Sequence, residues 1–164
     1  MSDFSAWGPT NDGRIKPDIV ADGVNVTSTW STSNTAYQTE SGTSMATPNV
    51  TGSLYLLQEY YTKLHPASFM RSATLKGLAI HTADEAGPSE GPDYEFGWGL
   101  LDVLKGANVI TSSFNHQTDT IIESALNSTT NTYTFTAVAS GKGGLVATLS
   151  WTDPAATPVP VILA

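Results

Sequence analysis

Over the first forty positions the apolar residues come in short runs broken by turn formers. Asn11-Asp12-Gly13 is a turn signal, Pro17-Asp18-Ile19-Val20 leads into a short run of the buried type, and 24–29 and 36–40 are strand candidates. From Met45 the period changes. Val50, Leu54, Leu57 and Tyr61 fall at i, i+4, i+7 and i+11, which predicts a helix over 45–63. Pro48 is expected in its first turn, where a missing N–H costs little. A second helix is expected over 68–82, with Leu75, Leu78, Ala79 and Thr82 at core spacing. An acidic loop rich in Gly and Pro follows over 84–99, then a short helix near 102–108.

Beyond Thr111 only Asp119, Glu123, Lys142 and Asp153 carry charge, and Thr alternates with apolar residues. The segments 131–139 and 144–151 read as strands joined by a turn at Gly141-Lys142-Gly143-Gly144, a pattern that suits a β-sandwich. Two or three strands cannot bury both of their faces, and the last apolar run, 159–164, ends the chain. The expected organisation is therefore an α/β portion over 1–110 and the N-terminal part of an incomplete β-sandwich over 111–164. Unpaired strand edges there predict self-association of the chain in isolation.

Composition narrows the function classes. Seven Lys and Arg against 15 Asp and Glu leave a formal charge of -8, a sign that repels phosphate backbones and excludes nucleic acid as an expected partner. No apolar stretch approaches the ~20 residues that cross a bilayer, so no membrane partner is expected either. Cysteine is absent, which removes disulfides, thiolate metal sites and cysteine nucleophiles. Together with a Ser and Thr content of about a quarter, this leans towards a bacterial exported protein, secreted or periplasmic. The start at Met1 has no basic-then-apolar signal pattern, so the chain is expected either to be cytoplasmic or to lack its natural N-terminus.

The chemistry is concentrated in Ser41-Gly42-Thr43-Ser44-Met45-Ala46-Thr47-Pro48-Asn49-Val50-Thr51-Gly52. A serine at the start of a helix, after a glycine that permits a sharp turn, exposes its hydroxyl at the positive end of the helix dipole. The Ser44 N–H is one of the unpaired donors of the first turn and can face an oxyanion formed when Ser44 Oγ attacks a carbonyl. From spacing alone the commoner job of Ser44 or Thr43 is to cap the helix. A G-x-S-x-G elbow is the weaker alternative, because Ala46 stands where its second glycine belongs.

The wording of the stretch resembles the serine-bearing signature of the subtilisin-like serine proteases. The resemblance extends upstream through Phe4-Ser5-Ala6-Trp7-Gly8-Pro9-Thr10 and the run from Asp12 to Gly23. Downstream it includes Ile80-His81-Thr82-Ala83, Gly91-Pro92-Asp93-Tyr94 and Gly97-Trp98-Gly99, and 145–154 resembles an early strand of an appended sandwich. It implies the C-terminal part of a doubly wound catalytic domain with Ser44 as nucleophile, Gly42 and Thr43 beside the bound acyl group, and protein or peptide substrates. Asn49 and Thr51 depart from the family's usual histidine and alanine. The family places its catalytic Asp, its His and its oxyanion Asn before the region where this chain begins, so the chain is expected to be a fragment that is inactive alone. A non-catalytic scaffold or binding protein with a degenerate fold of this kind is the rival from another class.

Other features carry less. His65, His81 and His116 are expected to be structural or solvated. Asp84, Glu85, Glu90, Asp93 and Glu95 make an oxygen-rich loop of the kind that suits calcium, but they lack a regular alternation of ligands, so no metal or other cofactor is expected. Asn25-Val26-Thr27, Asn49-Val50-Thr51 and Asn127-Ser128-Thr129 fit a glycosylation pattern that has no meaning in a bacterial exported protein. Trp98 and Trp151 are expected as core anchors, not as a sugar platform.

Overall fold

The computed structural model describes residues 1–125, 132, 134–136, 141 and 144–152. Two strands and three helices follow in order: β1 (Val26–Thr29), β2 (Tyr37–Glu40), α1 (Thr43–Leu64), α2 (Ser72–His81) and α3 (Val103–Phe114). β1 and β2 pair antiparallel with Val26 opposite Glu40 and Thr29 opposite Tyr37. A hydrogen bond between the Thr27 and Thr39 hydroxyls, 2.7 Å long, links the pair on one face.

The core forms where the three helices meet. Leu57 of α1 is 1% exposed and Ile110 of α3 0%, with Met70 and Leu78 buried beside them and Leu54, Tyr61, Leu75 and Ile121 packed around. Burying a side chain such as Leu57 contributes about 1.5–3 kcal/mol. α1 and α3 approach closely at Gly106, where an added Cβ would come within 3.1 Å of a Leu57 methyl. The Tyr60 hydroxyl hydrogen-bonds Thr111 Oγ1 at 2.8 Å across the same seam. Asp102 caps α3 by accepting from the Lys105 N–H at 2.9 Å. After α3 the chain returns to α2, where Glu123 accepts from the Arg71 N–H at 2.8 Å.

Several expected boundaries shift. α1 begins at Thr43, so Pro48 lies in its second turn and leaves the Ser44 carbonyl without its i+4 N–H donor. α2 begins at Ser72 because Arg71 is extended and 65–68 form a turn. α3 continues to Phe114, through the expected junction at residue 110.

Of the expected doubly wound sheet, the described residues hold a single parallel bridge, Val20 with Leu100, while Asp84 pairs antiparallel on the other side of Leu100. Here backbone presses on backbone. An added Cβ at Gly97 would lie 2.1 Å from the Pro17 carbonyl oxygen, and one at Gly99 2.1 Å from that of Asp84; both glycines have positive φ. With the main chain turned inward, the Trp98 side chain points outward and is 45% exposed, so it is not a core anchor.

Among the described residues no strand forms over 144–151. Residues 148–150 lie over α2, where an added Cβ at Gly77 would meet Ser150 Cβ at 3.0 Å and Thr148 Oγ1 is 2.9 Å from His81 Nδ1. Leu145, Val146 and Leu149 are exposed and Trp151 is 67% exposed, so Trp151 is not a core anchor either. Most of the expected strand 131–139, half of the Gly141–Gly144 turn, the run 159–164 and the Asn127 sequence lie outside the described residues.

Candidate active site

The loop that leads into α1 is pinned from two sides. The Gly42 N–H donates to the Gly23 carbonyl at 2.8 Å, and the Asn25 N–H donates to Ser41 Oγ at 2.8 Å. These bonds seat the base of the β1–β2 hairpin against the start of the helix. The glycine that this contact demands is Gly23: it is buried, and an added Cβ would meet the Gly42 oxygen at 2.7 Å and Ala46 Cβ at 3.0 Å. Gly42 is extended, with φ 161° and ψ 162°, so the expected sharp turn at that glycine is absent. In the sequence Gly23 only ends the 12–23 run and Ser41 only heads the serine stretch, and no local signal gives either its part in this contact.

Ser44 is exposed, and its hydroxyl makes no hydrogen bond among the described residues. Neither it nor Thr43 caps the helix: the N-cap is Gly42, with no side-chain capping bond. The first intrahelical donors are the Met45 and Ala46 N–H groups, both to the Gly42 carbonyl at 3.0 and 3.3 Å. The Thr43 and Ser44 N–H groups therefore have no acceptor among the described residues, and no acidic side chain occupies the first turn. A free hydroxyl beside free N–H donors, at the positive end of a 22-residue helix, suits a nucleophile whose addition product carries negative charge. The Thr47 hydroxyl donates to the Thr43 carbonyl at 2.9 Å and stiffens this turn. Met45 is half-buried behind it, its Sδ 3.7 Å from where a Cβ on Gly42 would sit.

The three histidines lie elsewhere. His65 ends α1, stacked on Tyr61 with ring centroids 4.1 Å apart and edge-on to Phe114 at 5.2 Å. His81 ends α2 against Thr148, and His116 follows α3, exposed and with positive φ. None hydrogen-bonds Ser44.

Three carboxylates of the acidic loop, Asp84, Glu85 and Asp93, are engaged by groups of the protein. Asp93 accepts from the Glu95 and Phe96 N–H groups at 2.8 and 2.6 Å, Glu85 accepts from the Gly91 N–H at 2.8 Å, and Asp84 pairs with Lys105. No group of three His, Cys, Asp or Glu that could hold a metal occurs among the described residues.

The displaced pKa values also lie away from the serine. Burial alone would raise the Asp18 carboxyl, but the ammoniums of Lys16 at 2.5 Å and Lys76 at 3.3 Å outweigh it and hold the group below the ordinary aspartate value. The Lys105 ammonium is raised by its hydrogen bond to Asp84.

Residues 1–99 match the model of the Subtilase family, and the chain belongs to that family of peptidases. The C5a peptidase of Streptococcus pyogenes is 48% identical over 66 residues, 40% of this chain and 6% of that protein. The PII-type proteinase of Lactococcus lactis subsp. cremoris is 41% identical over 81 residues, 49% of this chain and 4% of that protein. The solved structure of the Clostridium perfringens CspB protease superposes with a TM-score of 0.55 at 29% identity, covering 63% of this chain and 22% of that one. The chain thus matches a small part of the length of each relative. No described helix is long and apolar enough to cross a membrane.

Proposed function

We propose that Ser44 is the nucleophile of a bacterial serine endopeptidase that acts outside the cytoplasm on proteins or peptides. Ser44 Oγ attacks the scissile carbonyl carbon, its proton passes to a histidine base and from there to the leaving amine, and the C–N bond breaks to give an acyl-enzyme that water then hydrolyses. The Ser44 N–H holds the oxyanion, and Gly42 and Thr43 line the cleft beside the acyl group. The observation that carries this reading is the exposed, unbonded Ser44 hydroxyl beside N–H donors without acceptors. In this reading the base comes from outside these 164 residues, since each histidine here is engaged or exposed elsewhere, and the resemblance to the subtilisin-like proteases implies the same for the carboxylate that orients it and the second oxyanion donor.

This reading makes the isolated chain inactive. In a subtilisin, losing the histidine alone costs on the order of 10⁶ in kcat, and this magnitude is taken from that enzyme. Labelling with a fluorophosphonate probe tests the assignment. The isolated chain is expected neither to label nor to cleave casein; a chain extended upstream to include an Asp, a His and an Asn segment does both, and Ser44→Ala abolishes both. Labelling of Ser44 in the isolated chain would place a base among His65, His81 and His116. A folded, extended chain that stays unlabelled would favour a non-catalytic scaffold.

A further inference from the structure

The charges around the serine are unevenly matched. From residue 17 to residue 62 the chain carries no Lys, Arg or His and four carboxylates: Asp18, Asp22, Glu40 and Glu59. Two of these are neutralised, Asp18 by Lys16 and Lys76 and Glu59 by Lys63 at 2.7 Å. The other two, Asp22 and Glu40, have no cationic partner among the described residues. Asp22 accepts from the Val24 N–H at 3.1 Å, and Glu40 accepts from the Gln38 side-chain amide.

These two carboxylates flank the bond that seats the serine loop. Asp22 immediately precedes Gly23, whose carbonyl takes the Gly42 N–H, and Glu40 ends β2 two residues before Gly42. Asp22 is exposed and Glu40 half-buried, so both are open to solvent. Glu40 lies four positions before Ser44; at ~3.3–3.6 Å per extended residue the two are at most about 14 Å apart, the length of some four residues of extended peptide.

We infer that Glu40 and Asp22 are specificity-determining residues that favour peptides with a lysine or arginine within four residues of the scissile bond and disfavour acidic ones there. The inference rests on Ser44 as the nucleophile and adds the charge of the substrate. An uncompensated carboxylate attracts a substrate ammonium and repels a substrate carboxylate, and an exposed pair of this kind is worth about fivefold in relative rate. Salt weakens it, because the screening length falls from about 8 Å at physiological ionic strength to about 3 Å at 1 M.

The test uses the full-length protein and internally quenched peptides in which one residue, at each of four positions on either side of the cleaved bond, is lysine or glutamate. The readout is the lysine-to-glutamate ratio of kcat/KM, which does not depend on how much of each variant is folded. At one position or more, a ratio near tenfold or above is expected, falling several-fold in Glu40→Gln, in Asp22→Asn and in 1 M salt, and restored in Glu40→Asp. Cleavage that depends on Ser44 but shows a ratio near one, or a ratio unchanged in the double variant Glu40→Gln/Asp22→Asn, overturns this inference and leaves the nucleophile standing. A folded protein with no Ser44-dependent cleavage overturns both.

Discussion

The two ends of α1 are built for opposite tasks. At its C-terminal half Leu57 is 1% exposed, Tyr61 and His65 stack, and the helix is clamped to α3 through Gly106 and the Tyr60–Thr111 hydrogen bond. At its N-terminal end Ser44 is exposed, two N–H groups lack acceptors, and no capping side chain or acidic residue offsets the dipole. A stable helix normally satisfies its first turn with a cap worth about 1 kcal/mol. Here that turn is left open, and the packing at the other end is what holds the helix.

If this division of labour is correct, substitutions at the two ends separate cleanly. The largest effect belongs to Ser44→Ala in the full-length protein, which should lower peptide hydrolysis on the order of 10⁶-fold, a magnitude again borrowed from subtilisin. Its melting temperature should barely move, since exposed positions change stability within about 0.5 kcal/mol. A large loss of stability would mean that Ser44 supports the helix. Leu57→Ala is the converse: it opens a cavity between α1 and α3 and should cost about 2–5 kcal/mol in a urea titration. A loss below about 1 kcal/mol would show that the helical core is not the clamp described.

Gly23→Ala probes the joint between the two functions. The new methyl meets the Gly42 carbonyl oxygen, which cannot move without shifting Ser44, and overpacking of this kind costs about 1–3 kcal/mol. Turnover measured per folded molecule should fall as well, unlike that of Leu57→Ala. Equal activity per folded molecule in the two variants would remove the link between Gly23 and the serine loop.

The smallest effect lies away from the serine, at Asp18. Its folded-state pKa is depressed, so its pairs with Lys16 and Lys76 add stability that is fully present above the ordinary aspartate value and is lost as the pH falls through the depressed one. Asp18→Asn should therefore destabilise by less than about 1 kcal/mol near neutral pH, with the difference from wild type shrinking as the pH falls below the ordinary aspartate value and through the depressed one. A constant difference across that range would mean that packing, not charge, accounts for it.

The helices were legible because their cause is local. The 3.6-residue period marks α1 through Val50, Leu54, Leu57 and Tyr61 whatever the rest of the chain does, and Leu57, Leu78, Ala79 and Thr82 are buried as their spacing implies. The serine stretch was legible for the same reason, as a contiguous string of residue types. The exposure of Ser44 and the open donors beside it were not, because Thr43 or Ser44 as a cap fits the same letters.

What only the tertiary structure decided are approaches between segments distant in the chain. Gly23 must be a glycine because the Gly42 carbonyl presses on it, and Gly97 and Gly99 because Pro17 and Asp84 do. Trp98 faces outward because its backbone is the buried part, which reverses what its hydrophobicity implies. Residues 148–150 lie against α2 and no strand forms over 144–151 among the described residues, although the segment alternates as a strand does, because a strand also needs a partner edge and periodicity names none. A side-chain pattern determines which face is apolar; which backbone meets which is determined by contacts that no local pattern contains.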